Sequence, residues 1–384
     1  VAKATEQRTP RDSHASAVRA KDIASALIRW FAHAQRDLPW RAPARTTRRD
    51  PYHVLVSETM LQQTQVSRVV EKFEPFLELF PTLRNLANAS EDEVLAAWTG
   101  LGYYRRARML HAAAKAIASQ HAGTIPHDVP ALLALPGIGK YTAGAIASIA
   151  FNEPQPIVDT NVSRVLLRVF GKELAAKDAE EFVWEHAAHI ARAGHASQQA
   201  GTVNEAMMEL GALVCTPTSP SCSSCPLSAM CIAHKQGTTE RIPPPKAKKS
   251  RTPVLHVVFI VRDASLRVAI ERRSSSGLWG GLFQLPTVEL PAQTSAPRAM
   301  ADALTLAKST RPELALAPSR SKQGPLLDFV FHTTHREVRH VVFAASSHAQ
   351  PINVQWVTPE EALDRGMASP QRRIVRDLLL KQNP

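Results

Sequence analysis

Nowhere in its 384 residues does the chain carry an apolar run approaching the roughly 20 residues that a bilayer-spanning helix needs, so no membrane is expected among its partners. The first 20 residues, VAKATEQRTPRDSHASAVRA, lack the apolar centre of a secretory leader. They are polar and basic and read as a disordered arm, and Glu6 and Asp12 argue against an organelle-targeting peptide. Cysteine is scarce: the four present all fall between Cys215 and Cys231, which excludes a secreted disulfide scaffold and points to a reducing, intracellular compartment. No internal repeat and no long low-complexity tract is visible. Positive charge, by contrast, is in excess, with 46 Lys and Arg against 34 Asp and Glu for a formal net charge of +12. Such an excess suggests a polyanionic partner, nucleic acid before membrane, although charge by itself fits a plain basic surface equally well. With 44% hydrophobic residues, the length suffices for two domains with full cores.

Two compositions divide the chain. Residues 21–236 carry apolar residues at three- and four-residue spacing in KDIASALIRWFAHAQ, SRVVEKFEPFLELF, SEDEVLAAWTGL, ARMLHAAAKAIASQHA and TAGAIASIAF, the pattern of an all-α domain. Ser90 followed by Glu93 has the spacing of a capping box. Residues 237–253, with three consecutive prolines and a cluster of Lys and Arg, cannot continue a packed helix and read as a linker. Beyond it the period changes. VLHVVFIVRDASLRVAIERR reads as two strands joined in a hairpin around Asp263-Ala264-Ser265, and β-rich runs follow at LWGGLFQLP, LLDFVFHTT, EVRHVVFAA and INVQWV. Helical patterns lie near 295–308, 359–364 and 369–382. Residues 254–384 are therefore expected to form an α+β domain.

Three local features carry chemistry. Cys215, Cys222, Cys225 and Cys231 follow the spacing C-x6-C-x2-C-x5-C, and four soft thiolates within 17 residues can converge on one centre, zinc or an iron-sulfur cluster. In LPGIGKYTAGAIAS, Gly137 and Gly139 stand two apart between helical patterns, so backbone N–H groups at the next helix start can approach a phosphate, with Lys140 adding charge. Glu58 sits at the end of the apolar run Val54-Leu55-Val56 and is followed by Met60 and Leu61. A carboxyl group among such neighbours has its charged form penalised, and its pKa rises towards the range of a general acid.

The order of LPW at Leu38, SETMLQQTQV at Ser57, GLGYYRRAR at Gly100, LPGIGKYTAGA at Leu135, VDTNVSRV at Val158 and NEAMMELGALVC at Asn204, followed by the four cysteines, resembles the MutY-type adenine DNA glycosylases. These belong to the helix-hairpin-helix superfamily that also contains endonuclease III. The resemblance covers nearly all of residues 22–236. It implies a [4Fe-4S] cluster on the four cysteines and a reaction in which adenine is flipped from the duplex and cut from its sugar. It also implies Glu58 as the general acid and Asp159 as the carboxylate that stabilises or captures the oxocarbenium-like sugar, with Asn161 in place beside it. Many members have glycine where this chain has Thr160, and Asp159 also reads as a helix N-cap. Tyr141 stands where endonuclease III-like enzymes use a Schiff-base lysine, which implies base excision without strand cleavage. Gln62, Gln63 and Tyr103 match residues that enter the stack or touch the opposite strand. Trp40, Arg41, Leu61 and Glu205 match the adenine pocket, with Glu205 an acceptor for the adenine amine; Trp40 and Leu61 also fit plain packing.

Residues 254–384 resemble, less strongly, the Nudix-like domain with which that family reads 8-oxoguanine, and SSSGLWGGLFQLP is the clearest match. No acidic Nudix box is visible, so binding is expected rather than pyrophosphate hydrolysis. Where the family shows Phe-Ser-His the chain has Thr333-Thr334-His335, so that Thr334 and His335 are the candidate lesion readers. The expected partner is double-stranded DNA with adenine opposite 8-oxoguanine or guanine, bound by a monomer in the cytoplasm at the nucleoid. Two rivals stand beside this reading. One is a bifunctional endonuclease III-like lyase, against which Tyr141 speaks. The other is a non-catalytic module for damaged DNA, which would need neither Glu58 nor Asp159.

Overall fold

Asp50 and Pro51 start the helix that matters most. The Asp50 carboxylate accepts from the N–H groups of Tyr52 and His53, and Pro51 occupies the first helical position, where its missing N–H costs nothing. The helix Pro51–Leu61 then buries nearly every residue from Tyr52 to Met60, so that Glu58 is enclosed together with its apolar neighbours. The computed structural model describes residues 10–41, 49–245, 250–318, 324–347 and 354–381.

The chain forms two compact units. One takes the chain through Asn88 and from Met109 to the proline-rich segment; the other takes Ala89–Arg108 together with the C-terminal residues. The boundary therefore differs from a single cut near residue 253, because the segment bearing Tyr103 belongs with the C-terminal unit.

The first unit is helical, as the three- and four-residue periodicity requires. Its core includes Ile23 and Leu27 of the helix Pro10–Ala34, Leu166 of Thr160–Val169, Val183 of Ala176–His195 and Leu210 of Ala200–Leu213. Ser90 and Glu93, in the segment that belongs with the C-terminal unit, form the expected capping box. The disordered arm expected over residues 1–20 is corrected from Pro10 on: that stretch is the start of the helix Pro10–Ala34. Arg19 donates to the carbonyls of Val169 and Met230 at 2.9 and 3.1 Å, and Ala20 is buried. Residues 1–9 lie outside the described residues. The linker is corrected in part too, since Ile242 is buried in the same core and its carbonyl accepts from Arg168 at 2.8 Å.

The second unit is α+β. Its strands are β1 (Thr252–Val261), β2 (Val268–Arg272), β3 (Phe283–Gln284), β4 (Thr287–Leu290), β5 (Leu316–Pro318), β6 (Leu327–His332), β7 (Arg336–Ser347) and β8 (Gln355–Val357). One sheet has the order β4-β1-β7-β5, with β6 also pairing β7; the other has the order β3-β2-β8. The expected β1–β2 hairpin does not form as a paired ladder. β1 has antiparallel β4 on one edge and parallel β7 on the other, so both its edges are taken and β2 joins the second sheet, pairing with the chain before it at the Arg262–Val268 bridge and packing its side chains against those of β1 in the core. Local sequence could not show this, because the competing partners are distant in the chain. The helices Ala296–Thr310, Pro359–Asp364 and Ser369–Val375 match the expected patterns. Among the described residues, no helix is long and apolar enough to cross a membrane.

Candidate active site

Three elements of the first unit bring the expected catalytic groups together. Glu58 comes from the helix Pro51–Leu61, Tyr141 from the first turn after the glycine hairpin, and Asp159 from the start of Thr160–Val169. The Tyr141 hydroxyl donates to Glu58 Oε2 at 2.7 Å and lies 3.5 Å from Met208 Sδ. Burial raises the Glu58 pKa to about 7; the Tyr141 hydrogen bond and Arg41 oppose that rise, while the negative charges of Glu205 and Asp159 add to it. Burial, reinforced by Glu58, also holds the Tyr141 phenol well above its ordinary value, so at neutral pH it remains a donor.

Glu58 carries a stability consequence. Its carboxyl binds a proton more tightly when folded than at the usual 4.5, so its contribution to stability is full below pH 4.5 and is lost as pH rises through about 7. Glu58→Gln has no such titration. Its stability relative to the wild type should rise between pH 4.5 and 7 by on the order of 3 kcal/mol, at 1.36 kcal/mol per unit. Urea unfolding of both proteins at pH 5 and pH 8 measures this, and an equal difference at the two values would contradict it.

Asp159 does serve as the N-cap, as its position before an apolar run suggests. Oδ1 accepts from Val162 N at 2.7 Å, and Oδ2 accepts from Asn161 Nδ2 at 2.9 Å. Asn161 Oδ1 in turn accepts from Arg164 Nη2 at 2.8 Å, and Arg164 also donates to the carbonyls of Cys215 and Gly211. The approach is close at Gly211: a Cβ there would lie 2.6 Å from the Cβ of Asn161, so only glycine lets the helix Ala200–Leu213 seat against Asn161. Thr160 opens its helix without disturbing the cap.

Arg41 and Glu205, expected in the adenine pocket, are both buried and pair at 3.0 Å. Trp40 is buried with its ring edge-on to Phe73 at 5.7 Å, a packing role. Leu61 is partly exposed at the end of its helix. Gln62 donates to Thr142 Oγ1 at 3.2 Å, and exposed Gln63 has φ 55°, a left-handed conformation that projects the turn outward.

The hairpin places Val129–Ala134 before the turn and Lys140–Ala145 after it. Gly137 has φ 74°, and a Cβ there would lie 2.3 Å from Met109 Cβ, so the turn tolerates no side chain. Gly139 caps the second helix with open space around it, and Lys140 is exposed.

In the second unit, the hydroxyls of Tyr103 and Thr334 are in contact. Both belong to the rim of a groove of about 900 Å³ that also includes His335, Arg251 and Trp279. Thr333 closes the turn between β6 and β7, its hydroxyl accepting from Arg336 N at 2.9 Å.

The four cysteine side chains line one cavity beside Arg168. Arg168 is buried and reaches Cys215 Sγ at 3.4 Å, the Thr216 carbonyl at 2.6 Å and the Pro217 carbonyl at 3.0 Å, pinning the cysteine segment. Burial pushes the Cys225 thiol up to about 11 and raises those of Cys222 and Cys231. Metal binding there must displace protons. Among the described residues, no three His, Cys, Asp or Glu side chains are set around a single ion. Four soft donors lining one cavity, with an arginine to offset thiolate charge, fit a soft metal centre by their chemistry.

Sequence reasoning missed Arg36, Arg49, Arg164, Arg168 and Glu209, all bonded to residues of these sites. The available signal was spacing: Glu205 and Glu209, like Arg164 and Arg168, stand four apart on one helix and so share a face.

Residues 56–188 match the HhH-GPD superfamily base excision DNA repair protein family, and residues 257–377 match the NUDIX domain. The adenine DNA glycosylase of Mus musculus is 32% identical over 401 residues, covering 92% of this chain and 77% of that protein. That of Schizosaccharomyces pombe is 32% identical over 406 residues, covering 89% and 86%. The Rattus norvegicus relative is 36% identical over 310 residues, and the matched part is 69% of this chain and 60% of the rat protein. Among solved structures, that of a thermostable thymine-DNA glycosylase aligns with a TM-score of 0.50 at 27% identity, covering 57% of this chain and 99% of that one. With both units matched in order and a buried acid at Glu58 facing Tyr141, the chain belongs to the adenine DNA glycosylase family.

Proposed function

We propose that the chain is a monofunctional DNA N-glycosylase that removes adenine mispaired with 8-oxoguanine or guanine, and that it acts as a monomer. The observation that carries this reading is the buried Glu58 carboxyl, raised to about 7 and hydrogen-bonded by Tyr141. Adenine leaves poorly as an anion, so the base must receive a proton as the glycosidic bond breaks. Glu58 is about half protonated at neutral pH, and Tyr141 occupies Oε2, which leaves Oε1 to deliver the proton. The sugar left behind gains positive charge, which the Asp159 carboxylate, fixed at both oxygens, stabilises until water attacks.

Around this centre, Glu205 and Arg41 contact the base. Leu61 borders the same pocket, Gln62 and Gln63 fill the space that the flipped nucleotide leaves, and the Gly137–Gly139 turn with Lys140 holds a phosphate. Tyr103, Thr334 and His335 read the opposite base. Cys215, Cys222, Cys225 and Cys231 would hold a [4Fe-4S] cluster, which would cross-link that segment through its four thiolates. The compartment is taken to be the cytoplasm, at the nucleoid.

The test uses a duplex with adenine opposite 8-oxoguanine, divided after incubation into an alkali-treated and an untreated half. Strand breaks only after alkali are expected. Breaks without alkali, or a stoichiometric borohydride-trapped adduct that disappears in Lys140→Ala, would establish lyase chemistry instead. A duplex that remains intact in both halves would leave a binding module.

A further inference from the structure

We propose that Glu209 is a positioning residue for adenine recognition: it holds the two terminal nitrogens of Arg41, so that Glu205 is gripped through one oxygen and keeps acceptor capacity for the exocyclic amine of the base. The proposal rests on the reading above, in which Glu205 faces adenine.

A guanidinium is a planar fork of five N–H donors and, given a single carboxylate, pairs with it through two parallel bonds. Here the fork is divided. Nη1 and Nη2 of Arg41 go to Oε1 and Oε2 of Glu209 at 3.3 and 3.2 Å. Only Nε reaches Glu205, at Oε1 and 3.0 Å. Glu205 Oε2 has Arg49 Nη2 at 3.5 Å, a weak contact that a closer donor can replace. One oxygen of Glu205 is thereby fixed in place, and the other is left with most of its acceptor capacity.

Glu209 is in turn immobilised from behind. Its Oε1 accepts from the backbone N–H of Arg36 at 2.9 Å and from Arg36 Nε at 2.8 Å, while Oε2 accepts from Arg36 Nη2 at 2.8 Å. The Arg36 carbonyl accepts from Arg41 Nη1 at 3.2 Å, which closes the ring. Glu209 is 1% exposed, so a carboxylate oxygen that loses its Arg41 partner stays enclosed. The guanidinium of Arg41 also lies over the Phe31 ring, 5.1 Å from its centre, which fixes its plane. Burying two glutamates one helical turn apart is unfavourable for like charges, and an apolar core would avoid the desolvation. The arrangement instead distributes the donors of one arginine between the two carboxylates, and that distribution decides what Glu205 can still accept.

The closing experiment compares single-turnover excision of adenine with excision of purine, which lacks the 6-amino group, both opposite 8-oxoguanine. Glu209→Gln keeps the shape but loses the charge, and its amide opposes the Arg41 donors, so Arg41 is free to close both arms on Glu205. Adenine excision is expected to fall by about tenfold or more, the scale of one hydrogen bond to a charged group, and purine excision by less than about threefold. The adenine-to-purine ratio then drops. Equal losses on both bases, the signature of a merely structural role, or an unchanged ratio would overturn the proposal. Glu209→Asp retains the charge and should keep a ratio closer to the wild type; a ratio at or below that of Glu209→Gln would also overturn it. If Glu209→Gln does not fold, Arg36→Gln removes the two side-chain donors that anchor this carboxylate from its partly exposed side, and a loss on adenine no greater than that on purine overturns the proposal. A wild-type protein that releases no adenine contradicts the enzymatic reading itself, which is a separate result.

Discussion

Glu58→Gln should slow adenine excision by about 10²- to 10⁴-fold, the range that general acid catalysis supplies, while leaving duplex binding close to that of the wild type. The amide has the shape of the acid and still accepts the Tyr141 hydroxyl, so the pocket keeps its form. What it lacks is a proton to give. Single-turnover kinetics at saturating enzyme isolate this step from release of the abasic product. The pH dependence gives a second, independent reading: the protonated carboxyl is the active form, so the wild-type rate should fall as pH rises through about 7. The residual rate of the glutamine variant should be flat over the same interval. A wild-type rate that stays level from pH 6 to pH 8 would remove Glu58 from the role of acid, whatever the variant does.

Asp159→Asn is expected to cost about 10²- to 10³-fold, the scale of losing one preorganised electrostatic contact to a transition state. The substitution isolates charge from structure. Asn is as good an N-cap as Asp, so the hydrogen bond from Val162 N survives, and helix Thr160–Val169 should keep its start. Asn161 Nδ2 now donates to Oδ2, and the new amide can present its oxygen to only one of the two donors that Asp159 satisfies. Thermal unfolding should therefore change little while the rate collapses. A large fall in melting temperature together with a modest rate loss would assign Asp159 to the cap alone.

The enclosure of Glu58 was legible in the sequence for a physical reason. A carboxylate within an apolar run has no local partner, so its burial and raised pKa follow from the run itself, and Glu58 behaves in that way. The N-cap role of Asp159 was legible for the same reason, since capping is decided within four residues. The arm was misread from Pro10 on because a polar, basic helix start has no local signal of burial; the contacts of Arg19 lie 150 and 211 residues away. The hairpin between β1 and β2 failed likewise, because β7 outcompetes β2 for the edge of β1.

Local sequence thus determined most of the helical and extended segments, the caps at Ser90 and Asp159, which acid is enclosed, and that four thiols lie close along the chain. Tertiary structure alone decided which groups share a charge. The ring of Arg36, Glu209, Arg41, Glu205 and Arg49 joins residues more than 150 positions apart. The link from Asp159 through Asn161 and Arg164 to the Cys215 carbonyl likewise joins two distant segments. Periodicity reports the face on which a side chain lies. The partner it meets there is set by how two helices seat against each other, and at Asn161 that seating depends on the missing Cβ of Gly211.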